Sequence, residues 1–332
     1  MARLVADQNK VLFITESGTY GNTSGTGQWL GLVKNHEITD NENYQVVRYA
    51  GTASRNLGSQ YPTALDHEGT ITFHPQDWKS LVFALGSCVD AGSPSPYTHV
   101  ISEADSNDGN AYTSGTSNPF MSFTVEDSQA SSVTGGNLVR TLKGCTTNSW
   151  ELSAGQGEIA EVTVGYIAQS DTYSSGATTA VTAANTRPLM WQDVTVHIPS
   201  GTVYNEVTNV TLSINNNLNA PHYLNGSRVI AAPIPENRDH EISLGLHGTT
   251  ERTKTLYDQY FRGGSTFNMM VQVTDTVAGA GSRDAFFIYS GCSLIEMSAP
   301  TASEGVNEQE ITIRPTNLVV NINDLNQYYN PW

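Results

Sequence analysis

The fold is decided by the stretch Asp66-His67-Glu68-Gly69-Thr70-Ile71-Thr72-Phe73-His74, whose pattern returns 173 positions later as Asp239-His240-Glu241-Ile242-Ser243-Leu244-Gly245-Leu246-His247. Successive side chains of a β-strand point to opposite faces. One face of each stretch carries a histidine followed by glycine or apolar residues, and the other carries acidic, hydroxyl and histidine side chains. Each stretch therefore predicts a strand with one buried face and one solvent face.

Two further landmarks recur in the same order around these strands. Ser17-Gly18-Thr19 precedes the first strand and Gly144-Cys145 follows it, and their counterparts are Ser200-Gly201-Thr202 and Gly291-Cys292. Shared order is a better sign of an internal repeat than a single shared word. The sequence predicts two tandem copies of one domain, with residues 1–170 as copy 1, 171–188 as a linker and 189–332 as copy 2.

Length and composition agree with two β-rich domains. The chain has 332 residues, about twice the size of a typical domain. It carries 16 basic against 32 acidic residues, a formal net charge of -16, which argues against binding of a phosphate backbone by charge attraction. Abundant glycine (29 residues) is typical of turn-rich structure. The predicted fold class is mainly β, with a β-sandwich or barrel domain in each copy.

Each copy is expected to carry one flanking helix. Trp78, Leu81, Val82 and Leu85 have helical spacing, which predicts a helix from Pro75 to a C-cap at Gly86. The second helix is predicted between an N-cap at Thr250 and Gly263-Gly264, with an apolar stripe of Leu256, Tyr257, Tyr260 and Phe261. Short β-branched and aromatic runs predict the remaining strands at 120–126, 138–143, 158–168, 207–214, 267–273, 285–289 and 310–313.

Two stretches show no regular pattern. Residues 169–187 are rich in Ser, Thr, Ala and Gly and are interpreted as the connection between the copies. Residues 87–119 form a long loop in copy 1, and loops of that length are often functional. Tyr97, Val100 and Ile101 give this loop an apolar centre that we expect to dock on a neighbouring molecule.

No catalytic, cofactor or metal site is predicted. His67 and His74 are an odd number of residues apart on a strand, so they face opposite ways and cannot bind one ion together. Residues 103–109 resemble a calcium loop in composition, but the glycine comes one place late and no bidentate acid follows at the proper distance. Cys88, Cys145 and Cys292 have no C-x-x-C spacing and are expected to be small buried thiols.

No membrane insertion and no export signal are expected. The longest apolar runs are 11–14 and 81–85, far short of the roughly 20 residues that cross a bilayer.

The sequence resembles the tail tube proteins of long-tailed viruses of bacteria and archaea. Copy 1 is similar to that family in 15–21, in Arg55 followed by 66–73, in 78–86 and in 119–126, and copy 2 in 210–218. The resemblance implies a structural virion protein without enzymatic activity or cofactor. It implies a domain whose inner strands join across chains into a barrel, with rings stacking into a hollow tube.

The resemblance also implies partners and a location. The chain would assemble with itself and with other tail proteins in the host cytoplasm, become part of the virion tail and let viral DNA pass without sequence-specific binding. With two copies per chain, three chains would make a ring with approximate sixfold symmetry. The candidate channel-facing residues are Glu68, Thr70, Thr72, His74, Glu241, Ser243 and His247, and the candidate inter-ring loop residues are Tyr97, Val100 and Ile101.

Two alternatives stay open at the level of the sequence. One is another tail component, such as a baseplate ring or a joining protein. The other is a β-rich glycan-binding protein or hydrolase, because the two facing carboxylates of a glycosidase are brought together by the fold and leave no local sequence pattern.

Overall fold

The computed structural model describes residues 9–16, 20–48, 59–92, 96–104, 121–129, 137–176, 179–181, 184, 186–248, 251–275, 283–298 and 308–325. These residues form mainly β structure, as predicted. The strands are β1 Lys10–Glu16, β2 Thr23–Gln28, β3 Gly31–Val47, β4 Ser59–Pro75, β5 Gly86–Ala91, β6 Tyr97–Glu103, β7 Phe123–Gln129, β8 Asn137–Gly155, β9 Glu161–Ala168, β10 Ser170–Gly176, β11 Val194–His197, β12 Val207–Asn215, β13 Leu218–Asn219, β14 Ile234–Pro235, β15 Asp239–His247, β16 Phe267–Val273, β17 Arg283–Ser298, β18 Glu308–Arg314 and β19 Asn317–Asp324.

Within the described residues, two α-helices flank the strands, and a short 3-10 helix spans Trp191–Asp193. Helix α1 spans Lys79–Leu85, and Gly86 ends it in the left-handed conformation, as the sequence predicted. It begins later than the predicted Pro75, because Pro75 still belongs to β4 and lies opposite Gly31 of β3. Helix α2 spans Glu251–Thr255 and continues as a π-helical segment, Leu256–Phe261. The predicted N-cap Thr250 lies outside the described residues.

The largest feature is one antiparallel sheet of eight strands, which we call the long sheet. Its order is β3-β4-β9-β8-β12-β15-β18-β17, so it runs from the first part of the chain into the second without interruption. The two parts meet where β8 pairs with β12, over a ladder from Asn209 opposite Gly155 to Asn215 opposite Ser149. This ladder is the in-chain seam.

The two four-strand parts of the long sheet have the same layout. In chain order, β3, β4, β8 and β9 occupy the places that β12, β15, β17 and β18 occupy in the second part. Register irregularities also match, since β3 has one between Val33 and Asn35 where β12 has one between Val207 and Asn209. Strands β8 and β17 share a second register irregularity. It lies between Thr147 and Ser149 in β8 and, 147 positions later, between Leu294 and Glu296 in β17.

Strands β8 and β17 each bend from one sheet into another at a glycine. Gly144 and Gly291 have φ values of 63° and 60°, a conformation that side chains with a Cβ rarely adopt. A Cβ on Gly144 would also lie 2.9 Å from Cβ of Gln169, and one on Gly291 would lie 2.2 Å from Oγ1 of Thr316. Glycine is therefore required at both corners, where the sequence showed the repeated Gly-Cys pair.

Beyond these corners, each long strand enters a second sheet. The first short sheet has the order β2-β1-β7-β8-β10, and the second short sheet has the order β11-β16-β17-β19-β6-β5. The pairs Phe123–Cys145 and Phe267–Cys292 occupy matching places in the two sheets. All three cysteines are buried, which confirms the prediction of buried thiols.

Two predictions of irregular structure are wrong. Part of the predicted loop 87–119 forms the hairpin β5–β6, whose β6 pairs with β19 of the second short sheet. Part of the predicted connection 169–187 is β10, which pairs with β8. In β10 most side chains are polar and exposed, and in β5–β6 only a few residues such as Cys88 and Ile101 join the core, so neither stretch shows a periodic apolar pattern. Residues 93–95 and 105–119 of the predicted loop lie outside the described part of the chain.

Candidate functional site

One face of the long sheet has no layer packed on it in the described residues, and we call it the open face. The core side carries buried His67, Ile71 and Phe73 on β4, and buried His240, Ile242, Leu244 and Leu246 on β15. Glu68, Thr70 and Glu241 are exposed on the other side, with Thr72, His74, Ser243 and His247 partly exposed. All seven candidate channel-facing residues therefore share the open face; a channel-facing role remains a prediction.

The open face is mostly polar and carries exposed glutamates on both parts of the long sheet. Neighbouring strands add exposed glutamates to Glu68 and Glu241, and the central strands add small hydroxyl side chains between them. Arg314 lies beside Glu241, with 3.7 Å between Nη2 and Oε2. The additional exposed glutamates are Glu37, Glu151, Glu296, Glu308 and Glu310. Such a surface repels polyanions and offers no cluster of cations to hold a phosphate.

Behind the open face, the buried histidines hold carboxylates. His67 Nδ1 lies 2.7 Å from Asp40 Oδ1, and its Nε2 lies 3.7 Å from Asp171 Oδ1. Arg140 donates to both acids, at 2.6 Å to Asp40 and 2.8 Å to Asp171. Burial would raise the pKa of Asp40, but the hydrogen bonds from His67 and Arg140 outweigh it and hold the pKa below its ordinary value. These contacts clamp edge strand β3 to β4, β8 and β10.

Asp40, His67 and Asp171 are also close enough together to ligate a metal ion. The guanidinium of Arg140 already contacts both carboxylates, so a cationic side chain neutralises the acids that a metal would need. His74 lies apart from this group, on the open face, and contacts the carbonyl of Ala160 at 3.1 Å. His67 and His74 thus face opposite ways, as the sequence predicted.

His240, which lies on β15 at the position that His67 has on β4, also contacts a carboxylate that is distant in sequence. Its Nε2 lies 2.6 Å from Glu103 Oε1, and Glu103 also accepts the backbone N–H of Leu318 at 3.0 Å. The pKa of Glu103 is lowered, because the contacts with His240 and Arg238 outweigh its burial. Glu103 is the first residue of the calcium-like stretch 103–109; residues 105–109 lie outside the described part.

The candidate inter-ring residues lie in a strand rather than in a free loop. Tyr97, Val100 and Ile101 lie opposite Asp324, Asn321 and Val320 of β19. Ile101 is buried in the core of its own chain, while Tyr97 and Val100 are partly exposed. If this strand contacts another ring, Tyr97 or Val100 makes that contact. The inter-ring role of these residues remains a prediction.

The long sheet ends in two edge strands. Strand β3 pairs with β4, and in the described residues no strand pairs with its other side. At the opposite end, residues 293–298 of β17 pair with β18, and among the described residues no strand pairs with their other side. Unpaired edges of this kind are ready sites for pairing with another chain.

Comparison with known proteins identifies the class. The sequence model of the family described as phage tail tube protein matches residues 7–315. The chain belongs to the phage tail tube protein family. This confirms the resemblance to tail tube proteins and makes the protein a structural component of the virion tail. The family is a structural one and not a family of enzymes.

Other comparisons add little to the family assignment. The tail tube protein is similar to a chain of the SPP1 tail tube, solved by solid-state NMR and cryo-electron microscopy, with 12% identity, a TM-score of 0.33, and coverage of 41% of this chain and 81% of that one. No curated protein matches the sequence closely enough to count as a relative. Within the described residues, no helix combines the length and the apolar character needed to cross a bilayer.

Sequence reasoning located the open face but missed the two edges and the in-chain seam. The missed residues include Leu152 and Leu212, which face each other across the seam, and strand β3 as a whole. The alternation of Val210, Leu212 and Ile214 was a signal for a strand, but no local pattern names its partner.

Proposed function

We propose that three molecules of this protein close into a ring and that stacked rings form the tail tube through which viral DNA passes. The observation that carries the proposal is the match between the in-chain seam and the two free edges of the long sheet. The strands that meet at the seam are β8 and β12, and the strands left unpaired at the ends are their counterparts, β17 and β3.

The counterparts follow from a duplication of the domain, which we also propose. Residues 1–170 and 189–332 make the two copies, joined through 171–188, with β10 belonging structurally to the first copy. The proposal is supported by the shared strand order, the matching register irregularities and the glycine corners at Gly144 and Gly291.

The equivalence gives the residues that would meet between chains. Thr39 lies opposite Glu68 as Ser213 lies opposite Glu241, so Thr39 is the counterpart of Ser213. By the same argument from β9 and β18, Ser298 is the counterpart of Glu151. Ser213 and Glu151 are opposite each other at the in-chain seam. In the ring, Ser298 of one chain therefore lies opposite Thr39 of the next.

Closure at this seam satisfies every edge of the long sheet. Each chain contributes eight strands, so three chains form a closed barrel of 24 strands with approximate sixfold symmetry. A closed barrel has no free edge on which foreign strands could pair. Closure of a head-to-tail contact after three molecules gives true threefold symmetry.

We assign the open face to the inside of this barrel. The core-side residues already pack against the short sheets and α1, so the acidic side is the one left for the channel. Glutamates repel the phosphates of the passing duplex, whereas basic side chains would retain it. Glu68, Thr70, Thr72, His74, Glu241, Ser243 and His247 are the proposed channel-facing residues.

Stacking of rings needs contacts at the rims. Residues 42–47 and 59–65 extend the β3–β4 hairpin past the end of β9, which pairs with β4 only over residues 67–73. This extension exposes Tyr44, Val46 and Tyr61. We propose that it contributes to contacts with the next ring or with other tail proteins.

Disulfide trapping tests the ring. Cα atoms of directly opposed strand residues are about 4.5–5.5 Å apart, within the range that a disulfide bridges. The Thr39→Cys/Ser298→Cys protein should give covalent dimers and trimers on oxidation, with trimers as the largest closed species. Ser213→Cys/Glu151→Cys should crosslink within one chain, and Thr70→Cys/Ser298→Cys should not crosslink. Ladders that stop at hexamers, or monomers alone, would overturn the three-chain ring.

A further inference from the structure

Helix α1 is buried between the two parts of the chain. Ser80 to Leu85 are all buried, and Trp78, just before the helix, donates its indole N–H to the carbonyl of Arg283 at 3.2 Å. The Trp78 ring meets the ring of Phe287 edge-on, at 5.5 Å between centroids. The first part of the chain thus covers the inner side of the second short sheet with its helix.

The covered surface is a row of apolar side chains. Val271, Phe287 and Val320 lie opposite one another on β16, β17 and β19, and all three are fully buried. In the first short sheet the row at the matching register is Asp127, Arg140 and Tyr173. Arg140 and Tyr173 precede Phe287 and Val320 by 147 positions, the separation of the two Gly-Cys pairs.

The matching surface of the first short sheet is only partly covered within the described part of the chain, where β3 reaches Asp127 and Arg140 but leaves Tyr173 exposed. It contains a cavity of about 260 Å³ lined by His36, Ile38, Asp127, Gln129, Leu138, Arg140 and Tyr173. Tyr173 is 59% exposed and Leu138, in the next row along β8, is 43% exposed, although the residues at the matching positions, Val320 and Ala285, are fully buried. An apolar surface of this kind beside a charged cluster marks a site for a partner.

Helix α2 and its π-helical segment carry aromatic side chains that nothing in the described residues covers. Tyr257 is 44% exposed and Phe261 is 38% exposed, and their rings lie 5.7 Å apart. Their place in the second copy is that of α1 in the first, whose residues from Ser80 to Leu85 are all buried. The α2 segment therefore leaves two aromatic side chains on the surface, whereas its counterpart α1 is covered.

We propose that the α2 segment of one chain docks on the first short sheet of the next chain, with Tyr257 and Phe261 covering the cavity beside Arg140 and Tyr173. This inference rests on the proposed ring, and its occupant is a second copy of this protein. The direction of this docking agrees with the order of the chains in the proposed ring. Helix α1 reaches from the part of the chain that carries β8 to the part that carries β12. The α2 segment reaches in the same way from the part that carries β17 to the next β3.

The chemistry of the cavity suits aromatic side chains. The Arg140 guanidinium lies 5.1 Å from the centre of the Tyr173 ring, so one cation–π contact is already in place. Asp40 and Asp171 hold the guanidinium in position, while His36 Nδ1 contacts Asp127 at 2.9 Å and His36 Nε2 contacts the Tyr166 hydroxyl at 2.6 Å. These polar groups have partners inside the chain, so an arriving aromatic ring leaves none of them unpaired.

Photocrosslinking tests the docking. With p-benzoylphenylalanine at position 261, irradiated assemblies should yield crosslinks between chains that map to 138–143 or 170–175. The same probe at Tyr223, an exposed position on the connection between β12 and β15, is the matched control and should not label these segments. Crosslinks from position 261 that stay within one chain or map elsewhere would overturn the inference.

A second measurement keeps the test independent of the probe. Tyr173→Asp and Leu138→Lys should each raise the protein concentration needed for ring assembly by roughly tenfold, as for the loss of one central interface contact. Leu224→Lys, at a fully exposed position outside the cavity, should leave it unchanged. Unaltered assembly of the first two variants would contradict the docking alone, provided that Thr39→Cys/Ser298→Cys still yields trimers. Absence of trimers would overturn both the ring and the docking.

Discussion

Leu152 of β8 lies directly opposite Leu212 of β12, and both side chains are fully buried. The pairs on either side, Trp150 with Ile214 and Ala154 with Val210, are buried as well. Between them, Glu151 and Ser213 face the open side. The in-chain seam therefore has the two-sided character of an ordinary sheet interior, and the two parts of the chain share one continuous core.

Replacing a buried side chain at this seam with a smaller one should destabilise the whole chain. Leu212→Ala removes a buried side chain that packs in the shared core, so we expect the free energy of unfolding to fall by about 2–5 kcal/mol. Thr211→Ala, on the open face of the same strand, should change it by less than about 0.5 kcal/mol. Urea unfolding below the assembly concentration measures both values. Equal effects of the two substitutions would show that the seam does not carry the core.

The sequence predicted the structure correctly where a local residue pattern corresponds to a single buried face. The alternation in β4 and β15 predicted the two faces of the long sheet, and Gly86 correctly marked the end of α1. The repeated Gly-Cys pair marked two corners whose conformation excludes other residues. These features depend on local chemistry, which a single chain displays in its own order of residues.

Features built from distant backbone pairing could not be predicted in the same way. Most of β3 is exposed and polar, and the hairpin β5–β6 joins β19, more than 200 positions away. Strand β10 is made of Ser, Asp, Thr, Tyr and Gly and is held by the ladder to β8. Pairing partners depend on the assembled sheet, so the open face was predictable while its edges were not.

Glu16 should be essential for stability although it is a buried acid. Its carboxylate accepts the backbone N–H groups of Gly21 at 2.9 Å and Gly144 at 2.8 Å, and the hydroxyls of Ser122 and Thr124. Glu16→Gln places an amide NH₂ among these donors. We expect a loss of about 3–5 kcal/mol in the free energy of unfolding, as for other broken buried charge networks.

The control for Glu16 is Glu68→Gln, which changes an exposed carboxylate on the open face and should alter stability by less than about 0.5 kcal/mol. Thermal unfolding of the two variants, compared with the unchanged protein, measures the difference. A Glu16→Gln protein as stable as Glu68→Gln would show that the four donors find other acceptors.

Stability should fall as the pH rises above 6.5 because of His99. Its Nδ1 lies 2.7 Å from Asp90 and its Nε2 lies 3.2 Å from Asp324. Burial lowers the pKa of His99, but the hydrogen bonds to Asp324 and Asp90 outweigh it, so the pKa is raised above 6.5. The charged imidazole therefore contributes its full stabilisation below pH 6.5, and this is lost as the pH rises through the raised value.

His99→Gln should remove that part of the pH dependence. Burial also raises the pKa of nearby Asp77 to about 7 from 3.8, which lowers stability between those two values as the pH rises. Asp77→Asn therefore flattens the profile below pH 7, and His99→Gln flattens it above pH 6.5. Unfolding free energies across this range separate the two groups, and an unchanged slope in His99→Gln would exclude its role.

Assembly should close the open face to large molecules while leaving it open to small ones. Thr70→Cys and Ser243→Cys place a thiol on the face assigned to the channel, and the natural thiols are buried, so they add little background.

In monomers, a small maleimide and a maleimide on a long polyethylene glycol chain should both react. In stacked rings, a wall of paired strands surrounds the introduced thiols, so the long reagent should react far more slowly and the small one should still reach them. Gln192→Cys, at an exposed position outside the open face, α2 and the β3–β4 extension, is the control and should react with both reagents in both states. If Thr70→Cys and Ser243→Cys react with the long reagent as readily in tubes as in monomers, the acidic face lies outside the tube, and its glutamates serve solubility instead of DNA passage.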